Sequence, residues 1–143
     1  MTLTNSPEPA LEMALEILLA AARKVALNSH SPYSRFRVGA ALRLSNGAIV
    51  TGTNVENVSY GLTICAERSA VVRAIAEHGP QIRIEAVAIA NLNDAASPPC
   101  GACRQVLSEF IDPDAPVVFP SATGTRTMPF RELLPLAFEM KAK

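Results

Sequence analysis

The residues best equipped for chemistry fall in two short clusters that together hold all three cysteines of the chain. Residues 65–68 (CAER) place a thiol, a carboxylate and a guanidinium side by side where a loop is predicted to become a helix. Residues 99–105 (PCGACRQ) repeat this arrangement, with two cysteines at a predicted helix start followed by an arginine. Cysteines three positions apart can face the same way in the first turn of a helix. The two clusters therefore predict one shared site.

Three cysteines form a ligand set for a metal ion that keeps one position open. Structural zinc sites normally have four protein ligands, whereas catalytic sites have three and leave a position for water. The chain has no fourth cysteine, and His30 and His78 lie in no ligand-like pattern. Cys65, Cys100 and Cys103 are therefore predicted to bind Zn²⁺ in an open site.

Two other interpretations of the cysteines are a redox Cys-x-x-Cys pair at the second cluster and plain apolar burial. Neither explains why Cys65 is followed by Glu67. As a charge at a helix start, Glu67 would favour the helix dipole and nothing more. Beside a metal it can take a proton from water and deliver it to a ring nitrogen or a leaving group. That chemistry suits replacement of an amine on an amidine-like carbon, and the spacing matches the signature of zinc deaminases.

Three thiolates around a dication carry a net negative charge that something must offset. The N–H groups at two helix starts supply partial positive charge. Arg68 and Arg104 follow the cysteines and can donate hydrogen bonds to sulfur or to other anionic groups. We predict that Arg68 adjusts the metal site in this way.

The elements that must position these residues alternate along the chain. A strand pair around the turn at residues 45–47 follows an amphipathic helix, and helices then alternate with strands, which predicts an α/β layered domain with a mixed sheet. The whole chain, 1–143, reads as one domain with residues 1–9 as a flexible lead. Helices are predicted at 10–28, 65–78, 100–111, 130–134 and 136–140, and strands at 36–44, 48–54, 82–90, 117–119 and 126–128.

Composition restricts the function classes. Thirteen basic residues balance thirteen acidic ones, which argues against binding a nucleic acid polymer through its phosphates. No window approaches the length of apolar sequence that a membrane helix needs. Cysteine usage predicts a cytoplasmic protein with reduced thiols.

The chain resembles the small, homotetrameric, zinc-dependent cytidine deaminases. The resemblance rests on five motifs in the same order: residues 31–42 (SPYSRFRVGAAL), 54–57 (NVEN), 65–68, 99–105 and 132–138 (ELLPLAF). It implies a three-layer α/β/α sandwich with a five-stranded mixed sheet.

The resemblance also implies roles for single residues. Asn54 and Glu56 would bind the ribose hydroxyls, Phe36 would pack against the pyrimidine, and Ala66 would belong to the same substrate site. Phe138 would reach the base bound by a neighbouring subunit, so a homotetramer would share its active sites. The three cysteines would bind zinc, and Glu67 would move protons.

The expected function is hydrolytic deamination of cytidine and deoxycytidine to uridine and deoxyuridine in pyrimidine salvage, with release of ammonia. A rival of the same fold is a deaminase of another aminopyrimidine nucleoside, such as a blasticidin-type antibiotic. Editing of polynucleotides fits the short, neutral chain less well. A different class, the non-catalytic zinc-binding structural module, leaves Glu67 and the missing fourth ligand unexplained.

Overall fold

The computed structural model describes residues 8–142, which form a five-stranded sheet covered by helices on both faces. The helices are α1 (Pro9–Ala26), α2 (Ala66–His78), α3 (Gly101–Ser108) and the one-turn α4 (Phe130–Leu133); the strands are β1 (Val38–Leu44), β2 (Ile49–Thr53), β3 (Ile84–Asn91), β4 (Pro116–Ser121) and β5 (Gly124–Pro129). The strand order is β2-β1-β3-β4-β5. Only β3 and β4 run parallel, and the other neighbouring pairs are antiparallel. The predicted three-layer α/β/α sandwich with a mixed sheet is confirmed.

The two faces of the sheet carry side chains of different size. On one face, α1 packs through Leu18 and Ala22 against alanines of the central strands, including Ala41 and Ala88. Small side chains let the helix approach closely. A Cβ at Gly39 of β1 would lie only 1.9 Å from the Ala22 carbonyl oxygen, so this position needs glycine.

The opposite face holds the larger part of the core and both helices that carry cysteines. Leu42, Val87 and Ile89 of the sheet pack there with Val71 of α2 and Leu107 of α3. Because side chains alternate along a strand, Ala41 faces α1 while its neighbour Leu42 faces α2. The start of α2 is pressed onto β2, where a Cβ at Gly52 would lie 2.4 Å from the Ala70 nitrogen.

The helix ends differ from the predicted ones for local reasons. Helix α1 spans residues 9–26 rather than 10–28, so Pro9 of the predicted lead is helical; residues 1–7 of that lead lie outside the described residues. Helix α3 stops at Ser108 rather than at residue 111. The chain leaves the helix there because the Phe110 carbonyl and the Asp112 N–H bond to the backbone of Ile84, where β3 begins.

The predicted helix at 136–140 is wrong. Residues 137–140 have no regular structure, and Leu136 has a left-handed backbone with φ of 53°. Pro135 disfavours a helical conformation at Leu134, whose φ is −142°. Over residues 8–142, the structure contains no helix long and apolar enough to cross a membrane.

Candidate active site

The three cysteines come together from two helix starts. Cys65 is the N-cap residue of α2 and Cys100 that of α3, while Cys103 lies in the first turn of α3. Their sulfur atoms all lie within 4.8 Å of one another, and the Cys65 and Cys100 sulfurs are 3.8 Å apart. Two sulfurs bound to one tetrahedral zinc at the usual bond length are also roughly 3.8 Å apart. The cluster therefore has the dimensions of a zinc site.

The cluster is closed on one side and open on the other. Cys103 is buried, Cys65 is half-buried and Cys100 is exposed. The backbone N–H of Cys103 donates to the Cys100 sulfur at 3.5 Å, so the helix start itself supports a negative sulfur. An ion held here would have three protein ligands and an accessible fourth position.

Arg68 contacts the cluster from the first turn of α2. Its Nη2 lies 3.4 Å from the Cys65 sulfur, and its Nε is buried with no hydrogen-bond partner within the described range. Hydrogen bonds to the Cys65 and Cys103 sulfurs raise the pKa of Arg68 above its ordinary value. Hydrogen bonds from the Cys103 thiol and from Arg68 lower the pKa of Cys65 to about 5. The hydrogen bond to Cys65, together with burial, raises the pKa of the Cys103 thiol, so the pair favours a thiolate at Cys65.

Arg104, which the sequence suggested as a second donor to sulfur, donates to backbone carbonyls instead. Its Nε donates to the Pro99 carbonyl and its Nη1 to the Leu133 carbonyl, each at 2.7 Å. It therefore fixes the backbone just before Cys100 to the end of α4.

Glu67 lies two residues beyond Cys65 and is only 5% exposed. Burial raises the pKa of Glu67 to about 7, and the negative charge of Cys65 adds to the shift. A carboxyl group with a pKa near neutrality can both accept and return a proton. The side chain next to the sulfur cluster thus has the acid–base property that proton transfer requires.

Glu67 and Cys65 line a cavity of about 200 Å³ that is mainly apolar. Three of the residues implied as substrate contacts line it as well: Phe36, Asn54 and Ala66. The cavity thus brings the Phe36 ring, the Glu67 carboxyl group and two of the three cysteines, Cys65 and Cys100, to one place. It has the character of a small-molecule site, with apolar walls and a few converging polar groups.

Residues 13–119 match the model of the family described as the cytidine and deoxycytidylate deaminase zinc-binding region. The chain belongs to this family. It is 43% identical over 129 residues to a cytidine deaminase of Halalkalibacterium halodurans, a match that covers 88% of this chain and 95% of the relative. It is 44% identical over 127 residues to a probable cytidine deaminase of Dictyostelium discoideum, covering 89% and 85% of the two chains.

The fold of this family member agrees with a solved structure. The cytidine deaminase from Burkholderia pseudomallei superposes with a TM-score of 0.78 at 40% identity, over 86% of this chain and 98% of that chain. The family is zinc-binding, and the cluster of three cysteines fits Zn²⁺.

Asn54 and Glu56, the family member's candidate ribose ligands, are both held by the loop between α1 and β1. Asn54 accepts a hydrogen bond from the Val38 N–H at 3.0 Å and donates to the Phe36 carbonyl at 2.7 Å. The Glu56 carboxylate accepts from the N–H groups of Tyr33 and Ser34 and from the Ser34 hydroxyl. The Ser34 hydroxyl is the main reason why the pKa of Glu56 is lowered. Both side chains are buried and oriented, but only Asn54 lines the cavity described above.

Phe138 lies apart from its own chain's cavity. Its side chain is 70% exposed, and Gln105 of α3 donates to its backbone carbonyl at 3.3 Å. It borders a separate surface depression together with Gln105 and Met140. Among the predicted site residues, Phe138 is thus one that the single chain does not bring to the cysteines.

The cavity also has walls that sequence reasoning missed: Val38, Thr63, Ile89 and Ser97. A signal existed for Val38, because strand periodicity puts residues 36 and 38 on the same side of the chain. Ser97 precedes Cys100 by three residues, and its buried hydroxyl oxygen has no partner within residues 8–142. Ile89 is placed by the order of the strands, and Thr63 by the pairing of the neighbouring Ile64 with Val55; no local pattern gives either.

Proposed function

We propose that this chain catalyses the zinc-dependent hydrolytic deamination of cytidine and deoxycytidine to uridine and deoxyuridine, with release of ammonia. The observation that carries the proposal is buried Glu67, which lies beside three converging cysteines and lines a cavity of about 200 Å³. The relatives named cytidine deaminases, which match most of the chain, support the choice of nucleoside.

Cys65, Cys100 and Cys103 would hold the metal, because their sulfurs have the spacing of a tetrahedral zinc site. When bound, zinc supplies Lewis-acid activation of water at the open position. Arg68 would offset the negative charge of three thiolates by donating to the Cys65 sulfur.

Glu67 would move the protons of the reaction. It accepts one from the water that attacks C4 of the ring and donates to N3. It then takes the second proton from the oxygen added at C4 and gives it to the amino group, which leaves as ammonia while C4 keeps the oxygen as a carbonyl. The raised pKa of Glu67, about 7, supports both directions of transfer near neutral pH.

Substrate binding would use the side chains that surround the cavity. Phe36 would pack against the pyrimidine, with Ala66 beside it at the start of α2. Asn54 and Glu56 would bind the ribose hydroxyls, and their present hydrogen bonds hold both side chains in fixed orientations.

We further propose that the chain works as a homotetramer in the cytoplasm, as part of pyrimidine salvage, with residues 1–143 as one domain. The surface supports assembly because several large apolar side chains are more than half exposed, among them Val58, Tyr60, Leu62, Leu136, Phe138 and Met140. Exposed Phe138 would complete a neighbour's cavity. Thiolate ligands support a reducing compartment.

The test follows the loss of cytidine absorbance in zinc-loaded wild type and Glu67→Gln, with zinc measured in both. We expect the variant to retain zinc and to lose turnover on the order of a hundred- to ten-thousand-fold, because it cannot carry the proton. Glu77→Gln is the matched control, since Glu77 lies exposed on the same helix and pairs with Arg73. Absence of turnover by zinc-loaded wild type would refute the function, and full turnover by Glu67→Gln would refute the role of Glu67.

A further inference from the structure

Phe36 lies on a short segment that two asparagines hold from opposite sides. Asn54, just after β2, donates to the Phe36 carbonyl and accepts from the Val38 N–H. Asn93, just after β3, repeats the pattern one residue earlier. Its Nδ2 donates to the Arg35 carbonyl and its Oδ1 accepts from the Arg37 N–H, each at 3.0 Å. The two amides together bind four polar groups of the backbone between Arg35 and Val38.

The segment needs this support. Arg35 has a left-handed backbone with φ of 59°, a conformation unfavourable for a residue with a Cβ. The Asn93 amide binds the carbonyl of that same residue. Leu92 donates its N–H to the Arg37 carbonyl at 3.0 Å, so the loop after β3 also holds the segment through its own backbone.

Asn93 is itself held in place. Its N–H donates to Asn91 Oδ1 at 3.0 Å, and Asn91 Nδ2 donates to the Ala95 carbonyl at 2.8 Å. Asn91 ends β3, the central strand of the sheet. The position of Asn93 is therefore tied to a rigid element rather than to a free loop.

We propose that Asn93 is a positioning residue for nucleoside binding. It is exposed and does not line the cavity, so it would act only by fixing the backbone that aims Phe36 at the pyrimidine. This inference rests on the proposed function, and it adds a residue that neither the metal site nor the substrate contacts include.

A double-mutant cycle tests the inference, with Asn93→Ala, Phe36→Ala and the pair assayed on cytidine in zinc-loaded protein. We expect Asn93→Ala to raise KM about three- to tenfold with kcat within about twofold, the effect of losing hydrogen bonds that orient a binding group. In the Phe36→Ala background the same change should have little further effect, because its target is gone. Equal effects in both backgrounds, or no change of KM, would overturn the proposal.

Asn46→Ala is the matched control, because Asn46 is an exposed asparagine whose hydrogen bonds, with the Ala48 N–H and with His78, involve neither Phe36 nor the backbone beside it. We expect its KM to match wild type. Amide hydrogen exchange gives a second readout that does not depend on turnover. Asn93→Ala should speed exchange of the Arg37 N–H at least several-fold and leave the Val38 N–H, which Asn54 binds, close to wild type. An unchanged Arg37 rate would overturn the proposal even if wild type proved inactive on cytidine, an outcome that would separately refute the proposed function.

Discussion

Arg68 lies beside the three cysteines, where its positive charge can offset the charge of their thiolates. Its guanidinium donates to the Cys65 sulfur from the first turn of α2. Removing a hydrogen-bond partner of a metal ligand typically costs ten- to a hundredfold in metal affinity or activity. We therefore expect Arg68→Ala to lose zinc roughly tenfold faster to a chelator and to turn over more slowly.

Arg73→Ala serves as the control for that measurement. Arg73 lies on the same helix, but it pairs with exposed Glu77 and with the backbone of Thr51. Zinc release and turnover in Arg73→Ala should match wild type. Wild-type values in Arg68→Ala would remove Arg68 from any account of the metal site.

Glu56 predicts a dependence of stability on pH. The pKa of its carboxyl group is lowered in the folded protein, chiefly by the Ser34 hydroxyl, then by the Ser34 and Tyr33 N–H groups and the nearby His30. A lowered pKa contributes stability above the unfolded-state value, and this contribution is lost as the pH falls through the folded value. Wild type should therefore exceed Glu56→Gln in free energy of unfolding above about pH 5, with the difference shrinking below about pH 4.

Chemical denaturation at a series of pH values, with chelator present so that metal release does not contribute, measures this difference. A difference that stays constant across the range, or grows in acid, would show that the carboxylate charge is not what the turn at Tyr33 and Ser34 needs.

At the residue scale, sequence reasoning worked where chemistry depends on residue type. Cysteine spacing and the neighbouring Glu67 predicted a cluster that the structure assembles. The hydrogen bonds of Asn54 to Phe36 and Val38, and that of Arg104 to Leu133, could not be predicted. These partners lie 16 to 29 residues away and meet only through the tertiary fold.

At the scale of elements, the contact between β2 and α2 decides whether the first ligand and Glu67 are in place. Any side chain at Gly52 would collide with the backbone of α2 at Ala66 and Ala70. Gly52→Ala should lower the free energy of unfolding by about 2 kcal/mol, as overpacking of a tight contact does, and weaken zinc binding by displacing the start of α2.

Thermal or chemical unfolding of zinc-loaded protein, with zinc content measured alongside, tests this expectation. Gly61→Ala is the control, because a Cβ there meets nothing within 4 Å. If the two variants unfolded alike, the close approach of β2 and α2 would have no energetic weight.

The elements themselves were largely predictable, and their ends were not. Periodicity located α1, the hairpin and β3, since burial on one face or on both leaves a regular pattern. The end of α3 depends on hydrogen bonds between the Ile84 backbone and the backbone of Phe110 and Asp112. The absent helix at 136–140 reflects left-handed Leu136, which local apolar spacing does not reveal.

At the scale of the whole molecule, exposed Phe138 can be used to test whether active sites are shared between subunits or complete within one chain. If Phe138 completes a neighbour's cavity, Phe138→Ala and Glu67→Gln damage different halves of each site. Mixing the two weak variants under conditions that exchange subunits should then restore activity, because some sites combine an intact Glu67 with a partner's intact Phe138.

Activity of the mixture, compared with the sum of the separate variants, is the measurement. Glu77→Gln mixed with Phe138→Ala is the control. Because Glu77→Gln keeps both Glu67 and Phe138, the activity of this mixture should equal the sum of its parts. A mixture of the two damaged variants that never exceeds their sum would place Phe138 outside its neighbours' sites.

The order of the strands has a consequence for how the protein acquires its metal. Cys65 precedes β3 in the chain and Cys100 follows it, and β3 pairs with β1 in the folded sheet. We therefore expect the two cysteines to meet once β3 has paired with β1. An ion bound by all three sulfurs closes a long loop that includes the central strand β3. We therefore expect the ion to stabilise the folded core rather than to nucleate its folding. Zinc capture should therefore be a late event in refolding, following the burial of the sheet.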